Sequence, residues 1–190
     1  MLGRIIADSE LEVTLSHIDF ELAEEARTRG CPYCGGRLHS ARFPRHPRCN
    51  RNLLPGWQWR LSFCCASEGC RRRTTPESVR FLGRRVYPAV VVVLMSTLRS
   101  GVTSSRLRSL RKAFSIDRRT LERWRKWWRE TFPRTCFWKE ARSRFLPPLD
   151  PKSLPRSLLL RFGKGSVEEV IWLLRFISPL SVGGPSSQAF

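Results

Sequence analysis

The sequence predicts an α+β chain: a small β module stapled by a metal, a three-helix bundle of helix-turn-helix type, and a poorly ordered C-terminal region. Three observations predict it. Cysteines fall in closely spaced pairs within a turn-rich stretch, the segment "WQWRLSF" alternates apolar and polar residues, and apolar residues take a helical period from residue 84 onward. The expected segments are an acidic leader (1–30), the β module (31–83), the helical module (84–133), and a proline-rich linker with one helix and a disordered tail (134–190).

The leader stands apart by its charge. The whole chain carries +19, yet residues 1–30 set three arginines against seven acids, a balance of −4, which leaves +23 on the rest. So dense a positive charge points to a polyanion, nucleic acid first. A membrane is the other polyanion. However, the longest apolar run, "VYPAVVVVLM", covers about ten residues where a spanning helix needs roughly twenty, so no membrane association is expected. Within the leader one short helix is expected at "DFELAEEARTRG", closed by Gly30. With its opposite charge the leader is expected to fold back over the basic surface and compete with DNA.

The β module holds most of the seven cysteines, at positions 31, 34, 49, 64, 65, 70 and 136. The start "MLGRIIADSELEV" lacks a basic stretch followed by an apolar one, so a reducing cytoplasm is expected, and there clustered cysteines bind metal more often than they pair. Zinc takes four donors at tetrahedral corners, and small sites supply them from pairs close in sequence. "CPYCGG" gives Cys31 and Cys34, with glycines that let the backbone turn near the metal. Cys65 and Cys70 form a wider second pair, with Gly69 easing the turn. In "WQWRLSF", Trp57, Trp59, Leu61 and Phe63 share one strand face while Gln58, Arg60 and Ser62 share the other. Knuckle, hairpin, knuckle is the layout of a zinc ribbon. Two alternatives stay open: Cys64 in place of Cys65, and a local site from Cys34 with His46 and Cys49. The bland reading is a set of free or buried thiols. Four protein ligands close the coordination shell, so the expected Zn2+ is structural, offsetting a core too small for a free-standing module.

The helical module reads as three helices. "VYPAVVVVLMSTLRSG" is mostly apolar, and "TSSRLRSLRKAF" follows with Thr103 or Ser104 as N-cap. After the turn "SID", Asp117 caps "RRTLERWRKWWRETF". Leu121, Trp124 and Trp128 line one face of the last helix and basic residues cover the rest. Core packing is the expected use of Trp127. Two helices joined by a short turn, with a basic second helix, make a helix-turn-helix pattern. Arg118, Arg119 and Arg123, with Lys126, are then the candidates for base edges and phosphates. The connector "CRRRTTPESVRFLGRRVY" adds Arg71, Arg72, Arg73, Arg80, Arg84 and Arg85 as phosphate contacts, which confer affinity without sequence preference. The alternative is a plain bundle with a solvated basic face.

A ribbon "CPYCGG…FCCASEGCRRR" followed by "SIDRRTLERWRKWWRETF" resembles the N-terminal recognition region of bacterial insertion-sequence transposases, over roughly residues 31–132. In that family a zinc ribbon and a helix-turn-helix bind the terminal inverted repeats of the element. The resemblance therefore implies double-stranded DNA as partner, an association with transposition and a place at the nucleoid. The chain departs from the family after residue 132. Glu140, Asp150, Glu168 and Glu169 are the only acids there, too few on too short a segment for an RNase H-like catalytic domain. His17, His39 and His46 are isolated, so a paired-histidine site with a tyrosine nucleophile is not expected either. A non-catalytic DNA-binding protein is expected, with a transcriptional regulator or a protein-interaction adaptor as alternatives. A helix "SVEEVIWLLRFI" beginning at Ser166 is the expected site of a protein partner or of homodimer formation.

Overall fold

The computed structural model of the chain describes residues 9–45, 55–82, 87–96, 108, 116–163 and 166–182. Among them are six α-helices and one three-stranded antiparallel sheet of order β1-β2-β3. The mixed α+β composition agrees with the sequence. The second expected helix of the basic module lies outside the described residues, apart from Arg108.

Helix α1 spans Ser9–Arg29 and is far longer than the expected short segment. Leu11, Leu15 and Ile18 recur at i, i+4 and i+7 and are all buried, so an apolar stripe extends the helix toward its N-terminus despite the acids. These three join the larger apolar cluster, while Ala23 and Ala26 on later turns join a smaller one beneath the sheet. Residues 9–29 of the leader therefore form a strut between two cores, not a flap over the basic surface, and residues 1–8 lie outside the described ones. Gly30 ends it at φ +78°, a left-handed conformation that glycine adopts without strain.

Strand β1 (Leu38–Pro44) pairs with β2 (Trp59–Cys65), placing Leu38 opposite Cys65 and Pro44 opposite Trp59; β3 (Arg73–Thr74) adds to the far edge of β2. Phe63 and Cys65 are buried as the alternation predicts, but Arg60 and Ser62 on the supposedly polar face are buried too. Arg60 donates to the carbonyl oxygens of Pro76 and Glu77, in the segment that follows β3 and covers this side of the strand. Burial lowers its guanidinium to about 10, with Asp19 acting in the opposite sense, so it stays charged at neutral pH.

Segment 76–82 is held by a buried polar hub. Asp19 of α1 accepts from the Ser78 hydroxyl (2.6 Å), the Val79 N–H (2.7 Å) and Arg80 Nε (2.8 Å). Arg80 in turn donates to the carbonyls of Trp57 (2.8 Å) and Trp59 (3.0 Å), and its guanidinium lies against the rings of both Trp57 and Phe81, which also touch each other. Asp19 and Arg80 are 1% and 5% exposed. Arg80 is thus a structural ion-pair partner, and its assignment as a phosphate contact is corrected.

Helix α2 (Ala89–Ser96) is buried along its whole length. Helix α3 (Arg118–Lys126) runs into a π-helical turn at Trp127–Thr131 and a 3-10 turn at Phe132–Arg134. Residues 136–162, read from the sequence as a linker, form two further helices before the expected one, and the expected disordered tail from residue 183 lies outside the described residues. Helices α4 (Cys136–Ala141), α5 (Arg156–Phe162) and α6 (Val167–Ile177) place Trp138, Leu158, Val170, Leu173, Leu174 and Ile177 in the same cluster as Trp124, Trp127 and Trp128. Prolines 147, 148, 151 and 155 fall in the break between α4 and α5, and Gly163 ends α5, but each short apolar face stays free to pack. Ser166 caps α6 through a reciprocal capping box with Glu169, as expected from the sequence. Among the described residues no helix is long and apolar enough to cross a membrane.

Candidate metal centre and basic helix face

Cys31, Cys34, Cys65 and Cys70 converge, with all four sulfurs within 4.8 Å of one another. Cys31 and Cys70 Sγ lie 3.7 Å apart, and Cys34 and Cys65 Sγ 3.4 Å. A metal bound by four thiolates at 2.3 Å in a tetrahedron would set sulfurs about 3.8 Å apart, so the cluster needs only small adjustments to hold one ion.

Two turns present these sulfurs. In the first, the Cys31 N–H donates to Gly36 and the Gly35 N–H to Cys31; in the second, the Cys70 and Arg71 N–H groups both donate to Ser67. Gly35 and Arg71 each follow the last cysteine of their turn and each has positive φ, +71° and +45°. The glycine takes this conformation freely; the arginine carries modest strain there. Gly36 has a different reason for lacking a side chain. A Cβ there would sit 2.3 Å from Ser67 Oγ and 3.3 Å from the sulfurs of Cys34 and Cys65.

The thiols differ in acidity. A backbone hydrogen bond with Gly36 and the thiols of Cys65 and Cys70 hold Cys34 below the ordinary thiol range. Cys70 gains a backbone hydrogen bond with Arg72 that lowers it, but burial and the other three thiols outweigh this and push it up to about 11. Of the open alternatives, Cys64 lies outside the cluster, paired across the strands with His39 and Arg73. His46 and Cys49 lie outside the described residues.

On α3 the sequence becomes a two-sided helix. The Asp117 carboxylate accepts from the Thr120 N–H at 2.6 Å, fixing where the helix starts. Thr120, Leu121 and Trp124 are buried, and Trp124 packs edge-on against Tyr87 at 5.0 Å. Trp127 and Trp128 are also buried, so the tryptophans serve the core. Arg118, Arg119, Arg123 and Lys126 are all exposed and share the opposite arc. Arg118 pairs with Glu122 at 2.8 Å and Lys126 with Glu130 at 3.7 Å, exposed contacts of small energetic weight. Arg119 and Arg123, one turn apart, have no acidic partner among the described residues.

Arg71 and Arg72 are exposed just before β3 and Arg73 on it, in the module that carries the cysteine cluster rather than on α3; Arg84 and Arg85 lie outside the described residues. Sequence reasoning missed the role of Asp19, whose partners are some sixty residues away in the chain, and that of Tyr33. Tyr33 sits between Cys31 and Cys34 with the Arg72 guanidinium 4.5 Å over its ring. An aromatic between two ligand cysteines was the available signal.

No family model, curated protein or solved structure matches the chain.

Proposed function

We propose that this chain is a non-catalytic DNA-binding protein, in which a structural zinc ribbon supports a basic helix that docks on duplex DNA. The observation that carries the reading is α3, with a capped start, a core-facing arc of Thr120, Leu121 and Trp124, and an outward arc of Arg118, Arg119, Arg123 and Lys126. A helix built this way can lie in the major groove, its arginines reaching guanine edges or phosphates. The net charge of +19 supports the same partner. Four cysteines around one ion leave no position for a reacting water, which favours a structural over a hydrolytic metal and fits zinc. The resemblance to transposase recognition regions extends the reading to a role at the ends of mobile elements, at the nucleoid.

Selection from a random duplex pool followed by titration tests this. Arg119→Ala is expected to cost about 1–3 kcal/mol on the selected site and to relax preference at one position. Arg71→Ala, removing one phosphate contact, is expected to weaken all duplexes alike and lower the salt slope by about one unit. If the helix variants weakened every sequence equally, α3 would be a basic face without recognition.

A second reading, an adaptor that binds protein or self-associates through the C-terminal helix, is favoured by Trp172 on α6 and Phe20 on α1. Both large rings are more than half exposed.

A further inference from the structure

We propose that the metal-stapled sheet carries a track for single-stranded nucleic acid, separate from the duplex contacts of α3. The track starts from two adjacent arginines that serve two rings. Arg72 lies over Tyr33 at the cysteine turn, at 4.5 Å, while Arg73 reaches Phe43 near the far end of β1, at 6.0 Å. Arg45 covers the same Phe43 ring at 5.1 Å.

The register fixes what shares this face. Arg73 stands opposite Cys64, which stands opposite His39, and Phe43 follows four pairs further along β1 on the same side, at the β1 margin of the stretch where Ser62 and Arg60 of β2 are covered. At the β1 edge, where the strand begins, Arg27 of α1, Arg37, His39 of this face and Ser40 of the other line a polar cleft of about 380 Å3, large enough for a phosphate group. No carboxylate lines it, although Glu24 pairs with Arg27 at 3.5 Å nearby.

The rings are not spent on the core. The small cluster beneath the sheet is made by Ala23, Ala26, Cys31, Leu38, Phe63 and Cys65, with Leu61 and Cys70 at its margin, and neither Tyr33 nor Phe43 belongs to it. Tyr33 is 59% exposed. Positive charge alone would suit any polyanion. Rings interleaved with guanidinium groups suit a strand whose bases are free, since within a duplex each base face is already covered by its neighbours. Arginine stacked on a ring also leaves its donors at the edge, where a phosphate can be met. The opposite sheet face supplies a matched comparison. There Arg42 lies over Trp59 at 4.9 Å and carries the same charge in the same kind of pair, off the track.

The test uses the full chain and fluorescence anisotropy with a labelled oligo(dT), an abasic deoxyribose-phosphate strand of equal length, and a duplex of equal charge. Oligo(dT) is expected to bind about tenfold or more tighter than the abasic strand, in line with stacking of one or more bases. Tyr33→Ala is expected to remove most of that difference and Tyr33→Phe to retain it, each with metal content and circular dichroism matching the parent chain. Should Tyr33→Ala fail to fold, Phe43→Leu and Arg72→Ala carry the comparison. Arg42→Ala is expected to weaken oligo(dT) less than Arg72→Ala. Equal binding of oligo(dT) and the abasic strand, or equal losses for Arg42→Ala and Arg72→Ala, would overturn the track and leave a merely basic surface. Arg119→Ala is expected to spare oligo(dT). Loss of duplex recognition with oligo(dT) binding intact would therefore bear on α3 alone.

Discussion

Replacing Asp19 by alanine should destabilise the chain more than any exposed substitution. Its carboxylate receives three hydrogen bonds, from Ser78, Val79 and Arg80, and has almost no contact with water. Removing one partner of a buried ion pair costs about 3–5 kcal/mol, because the other charge stays buried without compensation. The orphaned Val79 N–H and Ser78 hydroxyl are part of that cost, not an addition to it. For a chain of this size each kcal/mol lowers the melting midpoint by about 2–4 °C, so the expected fall is about 6–20 °C. Asp19→Asn keeps an acceptor for Val79 but leaves Arg80 unneutralised, and should fall between parent and alanine. Arg80→Met with Asp19→Asn removes both charges and is expected to recover part of the loss. Thermal unfolding followed by circular dichroism reads all four proteins. A midpoint within about 2 °C of the parent for Asp19→Ala would refute the hub as a structural keystone. It would also restore the leader as an appendage whose removal tightens DNA binding.

One zinc per chain is expected by metal analysis, with serine at Cys31, Cys34, Cys65 or Cys70 releasing it and serine at Cys64 retaining it. Gly36→Ala should weaken metal binding without altering any ligand, since its Cβ would press on Ser67 and on two of the sulfurs; unchanged affinity would mean the turn gives way freely. Affinity for zinc should rise with pH. Cys70, at about 11 without metal, is protonated at neutral pH and must release that proton on binding, so competition titrations should show at least roughly a tenfold gain per unit between pH 6 and 8. A flat profile would contradict the thiolate site. Trp172→Glu on α6 is expected to shift any concentration-dependent dimer toward monomer in sedimentation velocity with little change in melting midpoint; an unaltered dimer would place self-association elsewhere.

The convergence of the four cysteines was legible because the geometry is local. Two residues between Cys31 and Cys34 and a compact Cys65–Cys70 turn dictate where the sulfurs can point, whatever the rest of the chain does. The sequence left Cys64 open as an alternative to Cys65, and the structure separates the two by face. The start of α3 was equally local, written in Asp117 and the buried spacing of Leu121 and Trp124. What could not be read depends on distant partners. Arg80 looks like its neighbours Arg72 and Arg73 in sequence and is distinguished from them by Asp19 on helix α1. Arg60 and Ser62 followed the polar half of an alternation, but the segment after β3 folds back over them. The C-terminal helices were obscured by composition: prolines at 147, 148, 151 and 155 suggested a linker, although Trp138, Leu158 and Leu173 supply enough apolar surface to close the core.

Helix α1 has one more consequence. Twenty-one residues at 1.5 Å each make a rod of about 30 Å, its early turns sunk in the helical core and its later turns under the sheet. Tandem DNA-binding modules joined by a loose tether tolerate variable gaps between their half-sites, at an effective concentration set by tether length. A rod clamped at both ends acts instead as a caliper. A nucleic acid gripped by both the sheet and α3 would have to present its two contact regions at one separation. Inserting half a helical turn of DNA between them should then cost the whole benefit of the second grip rather than a fraction of it.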